Sequence, residues 1–528
     1  MTATINGPLP RAARRPLVVT LAVVIVAAAA LLRVGLLNAP PEFDELYHLL
    51  AARGWLETGA PTILDGEYSR ARPFTGAVTW LFFATGTDDL ATGRLISVAA
   101  GSLLPALLFL WLTRIAGLAV GLVAAVFAVF WPQGLIEAQL LRFYAVHVLC
   151  FFVGAAAFYN AFTTSGPKRW AWAALAAGTW ALALLLQITS VIGIGAALAW
   201  ACAALLWDKV PGWRGRTLWL TAAAGLAAVA LAAAAYTGLL DRVWAFYRWT
   251  PDHSMALRDY PGFYQANLRK YHGVLWYATP VLAMVALWIR PRLASYCLIL
   301  FAALFLTLSF GGMKAFRYFS YAMPFLLTFW ALALVGGAVW FGAALTRGRE
   351  ALRPAFTGLI AVLVVAVILT TTSILPRSLT LARGEGVSPR GDWRRATEVV
   401  GDWLDAPFIA TTRELHMLTY VGPYDLLISP GRVTELRPPQ EFGVDRRTGR
   451  PIVGSTGSLT ALFACKRQGL LVTSPQWWSR QGWGPRMQAL IGTAGLQFET
   501  RAEGAVMAVR WFDPENRPAL CDGVPGAL

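Results

Sequence analysis

The sequence predicts an all-α, polytopic membrane protein with a small soluble α/β domain at its C-terminus. Three observations indicate this fold class. Hydrophobic residues make up 57% of the 528 residues and charged residues only 14%, and the mean hydropathy is +0.54. Apolar runs long enough to cross a bilayer as helices recur up to about residue 375. Beyond that point, short apolar runs alternate with polar, turn-rich sequence, which is typical of a soluble domain.

The predicted membrane module covers residues 1–375, and the predicted extracytoplasmic α/β domain covers residues 376–528. About eleven spans are expected: residues 17–37, 95–113, 116–134, 144–163, 170–187, 189–207, 217–240, 273–289, 293–310, 318–344 and 354–375. An additional apolar piece from Pro73 to Gly86 is too short to cross comfortably and predicts an interfacial or re-entrant helix. This count places the Lys/Arg clusters between spans in the cytoplasm, as the positive-inside rule requires. It places the first loop and the C-terminal domain outside.

The net charge of +16 does not require a nucleic-acid partner, because most basic residues lie in short clusters beside apolar spans. No cleavable signal peptide is evident after Arg11, Arg14 and Arg15, so the first span is expected to be a retained anchor. Two cysteines, Cys465 and Cys521, lie in the polar C-terminal region, where an oxidising compartment would allow them to pair. Their sequence separation alone does not decide whether they approach.

The stretch EFDELYH at residues 42–48 places acidic residues just beyond the first span. From Phe43 the pattern is amphipathic: Phe43, Leu46, Leu49 and Leu50 are expected on the membrane surface, with Asp44 and His48 on the opposite face. The alternative is a solvated loop that follows a span.

Further polar clusters lie at predicted extracytoplasmic span ends. Glu137, Arg142 and Tyr144 surround one boundary, and residues 241–272 mix aromatics with cations and end in Tyr271 and His272. Lys314 and Arg317 lie three residues apart before a late span, a spacing that suits a phosphate. Each cluster also has a simpler explanation. The charges around Glu137 could anchor the span end, residues 241–272 could form an interfacial aromatic belt, and Lys314 and Arg317 could be snorkelling side chains.

In the C-terminal region, the runs PFIATT, YDLLISP and GLLVTSP predict short buried strands, and AVMAVRWF predicts a closing strand. The runs SLTALFACKR and GPRMQALIGTAG predict helices. No phosphate-binding glycine loop or nucleophile elbow is present. Asp392–Trp393 and the run RELH at residues 413–416 stand out, and packing is the favoured explanation for both.

Three short motifs together resemble the GT-C superfamily of membrane glycosyltransferases. They are the Asp44–Glu45 pair after the first span, the ExxxxRxY pattern of Glu137, Arg142 and Tyr144, and the KxxRY pattern of Lys314, Arg317 and Tyr318. The resemblance covers about residues 17–345 and is strongest toward the aminoarabinose-transferase and protein O-mannosyltransferase-like branch. It implies a helical membrane module with juxtamembrane helices in the first loop, in a bacterial inner membrane. It also implies a sugar donor linked to polyprenyl phosphate and used at the extracytoplasmic face.

The resemblance assigns roles to residues. Arg72–Pro73 resembles a basic-Pro feature of the family, so Arg72, Arg142, Lys314 and Arg317 are donor-phosphate candidates. Asp44 is the expected general base, and Glu45 or Glu137 is expected to orient the acceptor or sugar. The expected substrate-binding residues are His48, Tyr144, Tyr271, His272 and Tyr318. The Glu137 region departs from the Asp-containing form of the aminoarabinose transferases, so the sugar and the acceptor (a lipid, a glycan or a protein) stay unassigned.

The sequence indicates no cofactor with certainty and leaves a divalent metal open, with no metal ligands assigned. Attack by one base-activated hydroxyl would invert the anomeric configuration. One alternative is a flippase or transporter, although neither internal repeats nor broken helices are apparent in the sequence. Another is a surface-polysaccharide ligase that uses a lipid-pyrophosphate donor.

Overall fold

The computed structural model describes residues 11–208, 260–346, 352–385, 391–429, 442–480 and 482–521, together with residues 236–238, 241–242, 244–245 and 524. The predicted span at 217–240 and most of the predicted loop at 241–272 lie outside the described residues. The chain divides into two compact units. The membrane unit comprises Met1–Leu37 and Arg94–Val387, and the loop–domain unit comprises Asn38–Gly93 and Ser388–Leu528. The predicted domain boundary near residue 376 stays a prediction. The sequence prediction assigned the first loop to the membrane module, whereas the structure groups it with the C-terminal residues.

Seven helices of the described residues are long and apolar enough to cross a membrane, so the chain is a multi-pass membrane protein. They are Leu90–Ile115, Tyr144–Thr163, Lys168–Leu186, Phe263–Ile289, Pro291–Phe310, Ser320–Leu345 and Pro354–Thr371. Two shorter apolar helices, Arg15–Leu31 and Ser190–Leu206, coincide with further predicted spans. The total number of spans stays a prediction.

The helix Met323–Leu345 forms the centre of the membrane unit. It is apolar on all sides, and most of its side chains are buried, as expected for a helix inside a bundle. Two buried polar side chains around it are hydrogen-bonded. The Trp330 indole N–H donates to Thr279 Oγ1 at 3.0 Å, and the Tyr321 hydroxyl donates to the Thr189 carbonyl at 2.8 Å. Such bonds matter in hydrocarbon, where water cannot satisfy a polar group.

One predicted span is broken. The helices Leu118–Val129 and Pro132–Ala138 meet at an angle of 61°. Trp131 has an extended backbone, because the residue before a proline is disfavoured in the helical region. Arg33, which is 2% exposed, donates to the Ala128 carbonyl at 3.3 Å and thereby satisfies an acceptor that the broken helix leaves unpaired. The expectation that the chain has no broken helix is therefore wrong.

A second irregularity lies where one span was predicted to begin. The helix Phe263–Ile289 starts well before the predicted boundary at residue 273, and Gly273 interrupts it with φ 45° and ψ −115°. This conformation is accessible to glycine at little cost. The predicted start of the span therefore coincides with a kink.

In the loop–domain unit, the first loop folds into two helices joined by a small hairpin. The helix Phe43–Thr58 is followed by β1 (Thr62–Ile63) and β2 (Gly66–Glu67), which pair antiparallel, and by the helix Arg72–Thr85. The second helix has 14 residues, so the short helix predicted over residues 73–86 is confirmed as a helix.

The predicted orientation of the first of these helices is wrong. Leu46 and Leu49, expected on a membrane surface, are 0% and 2% exposed, and His48 is 2% exposed. The helix Phe43–Thr58 packs against Arg72–Thr85 and against the helix Glu414–Tyr420 of the same unit. Its apolar side chains are therefore buried by protein.

The C-terminal residues form a seven-stranded mixed sheet. Its strands are β3 (Ile409–Thr411), β4 (Leu426–Ile428), β5 (Phe442–Val444), β6 (Pro451–Val453), β7 (Gly469–Thr473), β8 (Gln497–Glu503) and β9 (Val506–Phe512), in the spatial order β5-β6-β4-β3-β7-β9-β8. The four central strands, β6, β4, β3 and β7, run parallel, with Ala410 opposite both Leu426 and Leu471. The outer pairs β5–β6, β7–β9 and β8–β9 are antiparallel.

Both faces of the central strands β4, β3 and β7 are largely buried, as is usual where parallel strands are covered by helices. Adjacent residues of β4 enter different core clusters: Leu426 packs with Phe408 and Met487, whereas Leu427 packs with Trp393. Among its described residues, the α-helices of this domain are Ala396–Val400, Glu414–Tyr420, Thr456–Cys465 and Trp483–Thr493. The predicted α/β domain is confirmed, including the three predicted buried strands β3, β4 and β7, the closing strand β9 and both predicted helices, whereas the central strand β6 was not predicted.

Cys465 and Cys521 form a disulfide with a Cα–Cα distance of 4.4 Å. The bond joins the end of the helix Thr456–Cys465 to the C-terminal segment that follows β9. The pairing considered from the sequence is therefore confirmed.

Candidate active site

The predicted site residues divide between the two units. Asp44, Glu45, His48 and Arg72 belong to the loop–domain unit. The membrane unit holds Glu137, Arg142, Tyr144, Tyr271, His272, Lys314, Arg317 and Tyr318.

The helix Phe43–Thr58 carries Asp44 and Glu45 in its first turn, where the helix dipole stabilises carboxylates. Glu45 is buried, and its Oε2 accepts a hydrogen bond from the Glu42 backbone N–H at 2.7 Å. This contact is the reciprocal half of a capping box. Asp44 is half-buried. Glu45 therefore fixes the start of the helix that carries Asp44.

His48 lies one turn after Asp44 and is enclosed by the first loop. Its Nδ1 is 3.0 Å from Thr75 Oγ1, and its ring meets Tyr68 and Phe74 edge-to-face at 5.4 and 5.0 Å. The ring thus links the two helices of the loop. Its described contacts support a packing role, and the predicted substrate contact stays a prediction.

Arg72 begins the second helix of the loop. Its guanidinium lies 5.3 Å from the centroid of the Trp55 ring, and its Nη1 is 3.9 Å from Glu67 Oε1. The side chain is 55% exposed, so an exposed ion pair of this length adds little stability. The guanidinium is held loosely and is accessible to an anion.

In the membrane unit, the broken helix positions Glu137, which is 4% exposed. Its Oε1 accepts hydrogen bonds from the Ser320 hydroxyl and from Gln133 Nε2, the latter at 3.4 Å. The neighbouring Gln139 accepts from the Leu36 backbone N–H at 3.0 Å, which secures the short helix. These two hydrogen bonds hold the buried carboxyl group of Glu137 in place.

Two guanidinium groups flank the Tyr144 ring. Arg142 lies 5.1 Å and Arg317 5.8 Å from its centroid, and Arg317 lies 5.2 Å from the Tyr318 ring. The two tyrosine rings meet edge-to-face at 5.9 Å. We call Arg142, Tyr144, Arg317 and Tyr318 the cationic cluster. Planar guanidinium groups bind phosphate in bidentate fashion, so this cluster has the chemistry of a phosphate site.

The other cation of the KxxRY motif is oriented differently. Lys314 is 4% exposed, and its ammonium donates to the Gly311 carbonyl in its own segment. Tyr264 donates from its hydroxyl to the Ala315 carbonyl at 3.3 Å. These bonds order the loop that presents Arg317.

The last two predicted substrate-binding residues, Tyr271 and His272, have different surroundings in the structure. The Tyr271 ring meets Phe316, the neighbour of Arg317, at 6.0 Å, and the Arg377 guanidinium lies 4.6 Å from its centroid. The His272 ring instead meets Trp330 of the central helix at 5.3 Å. Tyr271 thus borders the loop of the cationic cluster, whereas His272 packs into the core.

Sequence reasoning missed Ser320 and Arg377. Ser320 follows the KxxRY motif by two residues, and no pattern marks it as a partner of Glu137. Arg377 had a usable signal, because a cation on the predicted extracytoplasmic side runs against the positive-inside bias. Within the described parts of the chain, no group of three or more His, Cys, Asp or Glu side chains is arranged to hold a metal ion.

Comparison with solved structures finds the same fold in ArnT and in an archaeal oligosaccharyltransferase. ArnT from Cupriavidus metallidurans in its apo state has a TM-score of 0.57 at 14% identity, covering 94% of this chain and 98% of that one. The same protein bound to undecaprenyl phosphate has a TM-score of 0.53.

The archaeal oligosaccharyltransferase AglB from Archaeoglobus fulgidus, in complex with an inhibitory peptide and a dolichol-phosphate, has a TM-score of 0.54 at 12% identity. The match covers 96% of this chain and 75% of that one. No family model and no curated protein sequence matches the chain. The likeness at these identities is one of fold.

Proposed function

We propose that the chain is a membrane glycosyltransferase that moves a sugar from a polyprenyl-monophosphate donor to an acceptor on the extracytoplasmic face. The observation that carries this proposal is the cationic cluster, which gathers two arginines from separate motifs around one tyrosine. The fold supports it, because solved structures of the same fold hold undecaprenyl phosphate or dolichol-phosphate. Neither the cationic cluster nor the fold identifies the acceptor as a lipid, a glycan or a protein.

The proposed reaction is a single displacement. The Asp44 carboxylate accepts the proton of the acceptor hydroxyl, whose oxygen then attacks the anomeric carbon of the sugar. The bond between that carbon and the phosphate oxygen breaks, and polyprenyl phosphate leaves. Arg142 and Arg317 stabilise the negative charge on the departing phosphate, with Arg72 and Lys314 as further donor-site cations. Direct attack inverts the anomeric configuration.

The disulfide supports the proposed orientation. Stable disulfides form in oxidising compartments and are rare in the cytosol. Cys465 and Cys521 therefore favour an extracytoplasmic C-terminal domain, in agreement with the predicted topology. A cytoplasm-active reporter that functions when fused after Leu381 would contradict this orientation.

The decisive experiment supplies the purified chain in lipid vesicles with labelled polyprenyl-monophosphate sugars and extracted envelope material as acceptor. We expect label on the acceptor and release of polyprenyl phosphate. Transfer only from a polyprenyl-pyrophosphate donor would identify the ligase alternative. Movement of intact donor across the bilayer without cleavage would identify a flippase and contradict the proposal.

A further inference from the structure

We propose that the C-terminal domain positions the helix that carries Asp44, and that Glu414 and Arg447 are positioning residues acting through Tyr47. This inference rests on the proposed function, because it assigns a task to the domain in the same reaction. All the residues involved lie in the loop–domain unit.

The central contact is the hydroxyl of Tyr47. It donates to Glu414 Oε1 at 3.3 Å and accepts from Arg447 Nη1 at 2.5 Å. The Arg447 guanidinium also lies 5.1 Å from the Tyr47 ring centroid. Tyr47 and Glu414 are 5% and 2% exposed. The Tyr47 hydroxyl thus donates a hydrogen bond to a buried carboxylate and accepts one from a cation.

Tyr47 is well placed to control Asp44. The two residues are three positions apart in one helix, so their side chains are neighbours on its surface. A helix turns by about 100° per residue, so fixing the direction of Tyr47 fixes the direction in which Asp44 projects. The capping contact of Glu45 sets the start of the helix, and Tyr47 sets its rotation.

Two further contacts reinforce this arrangement at the same end of the helix. The Phe43 ring stacks on His416 at 5.9 Å with an interplanar angle of 25°, and the Trp393 ring lies 5.3 Å from the same histidine ring. The Tyr47 ring stacks on Tyr68 at 5.1 Å. Phe43, Asp44 and Tyr47 share the first turn and a half, so the contacts concentrate where Asp44 lies.

The hairpin that follows the helix is fixed to the same part of the domain. The Asp65 backbone N–H donates to the Thr448 carbonyl at 3.1 Å, and Asp65 pairs with Arg450 at 3.4 Å. Gly449, at φ 72°, allows this approach, since a Cβ there would lie 2.6 Å from the Asp65 Cβ. Both ends of the segment from residue 43 to 67 are therefore held by the domain.

The sheet topology explains why Glu414 and His416 can contact the first loop. Glu414 and His416 follow the carboxyl end of β3, whose neighbours β4 and β7 continue in opposite directions along the sheet. In open α/β sheets this reversal point is where ligands bind. Here Tyr47 and Phe43 of the first loop contact the residues that follow β3. The run RELH, for which packing was the favoured explanation from sequence, contributes Glu414 and His416 to this contact.

The test compares Tyr47→Phe and Glu414→Gln with the wild type in the transfer assay, as full-length protein in lipid vesicles, with rates expressed per folded molecule. We expect Tyr47→Phe to lower kcat by roughly ten- to a hundredfold, since a misplacement of about 1 Å can have an effect of that size. Donor affinity should stay within about threefold of the wild type, because the phosphate-binding cations are untouched. Glu414→Gln keeps an oxygen that accepts from Tyr47 and should retain more activity than Glu414→Ala.

The matched control is Asp513→Asn, which removes the buried partner of Arg467 on another part of the same domain. It weakens the domain without touching the helix of Asp44. Amide hydrogen exchange over residues 43–50 provides a readout that does not depend on catalysis, and we expect faster exchange in Tyr47→Phe than in Asp513→Asn.

Unchanged kcat in Tyr47→Phe, or an equal loss of kcat in Asp513→Asn, would overturn the inference. A wild-type protein that transfers no sugar would contradict the proposed function alone. In that case the hydrogen-exchange measurement alone tests whether Tyr47 holds the helix that carries Asp44. Unchanged exchange in Tyr47→Phe would then overturn the inference.

Discussion

The two units order their predicted site residues in different ways. In the membrane unit, Arg142 and Arg317 lie at the ends of spans, each within a few residues of the tyrosine ring that it contacts. In the loop–domain unit, Asp44 lies on a helix whose Tyr47 is bound by Glu414, 367 residues further along the chain. Each cation thus contacts an aromatic ring of its own motif, whereas the helix that carries the carboxylate is also held by residues far along the chain. Substitutions in each unit can test this contrast.

The largest expected effect is that of Asp44→Asn. The amide keeps the shape of the side chain but cannot accept a proton as a carboxylate does, so kcat should fall by roughly 10²–10⁴. Glu45→Gln is the control, and it should lose much less if Glu45 only fixes the start of the helix. Asp44→Asn protein that is folded and turns over near the wild-type rate would exclude Asp44 as the base and direct attention to Glu45 or Glu137.

The second effect concerns the domain that holds the carboxylate. Replacing Cys465 and Cys521 together with serine should lower the free energy of unfolding of the domain by roughly 4 kcal/mol, the chain-entropy value for a loop closed by this bond with a sequence separation of 56. The urea concentration at which the domain becomes sensitive to protease would measure the change. An unchanged midpoint would show that the bond does not stabilise the domain.

The third effect is acid destabilisation of the same domain. Burial, with a smaller contribution from the charge of Arg413, lowers the pKa of His416 from 6.5 to about 4. The unfolded chain then binds a proton that the folded chain does not, so stability falls as the pH drops from about 6.5 to 4. The full difference is about 3 kcal/mol.

The acid destabilisation caused by His416 can be separated from that caused by protonation of the Asp513 carboxylate. The bond from Arg467 holds the pKa of Asp513 below its usual value, so that group destabilises the domain only at still lower pH. The urea midpoint of the domain at pH 7 and pH 4.5, measured for the wild type and for His416→Gln, tests the assignment. We expect the variant to lose less stability over this interval; equal losses in both proteins would remove His416 as the cause.

The smallest of these effects is on donor binding. Arg317→Ala should weaken donor affinity by about ten- to a hundredfold, since a charge-assisted hydrogen bond contributes roughly 1.5–3 kcal/mol. Arg169→Ala is the matched control, because that guanidinium also lies over an aromatic ring, Trp170 at 4.8 Å, but at a predicted cytoplasmic span end. Equal effects of the two substitutions would show that Arg317 acts only as an anchor.

The same contrast explains what the sequence could predict. The strands over PFIATT, YDLLISP and GLLVTSP were recognisable because apolar runs mark buried strands. Strand β8 was not, because all seven of its residues are exposed and its sequence QFETRAE lacks an apolar alternation. The cationic cluster was foreseeable in part, since its motifs place each arginine near a tyrosine.

The long-range contacts were not predictable from local pattern. Nothing in FDELYH shows that Phe43 stacks on His416 or that Leu46 is buried by protein, because an apolar helix face looks the same whether lipid or another helix covers it. The broken helix had a signal in Trp131–Pro132 that length and hydropathy concealed.

The most direct test of these assignments is the equilibrium binding of a labelled polyprenyl-monophosphate sugar to Asp44→Asn and Arg317→Ala, both in lipid vesicles. If the carboxylate performs the chemistry and the cationic cluster binds the phosphate, Asp44→Asn should bind the donor within about threefold of the wild type while failing to transfer it. Arg317→Ala should bind it about ten- to a hundredfold more weakly. The reverse pattern, with donor binding lost in Asp44→Asn and intact in Arg317→Ala, would contradict the assignment of both residues.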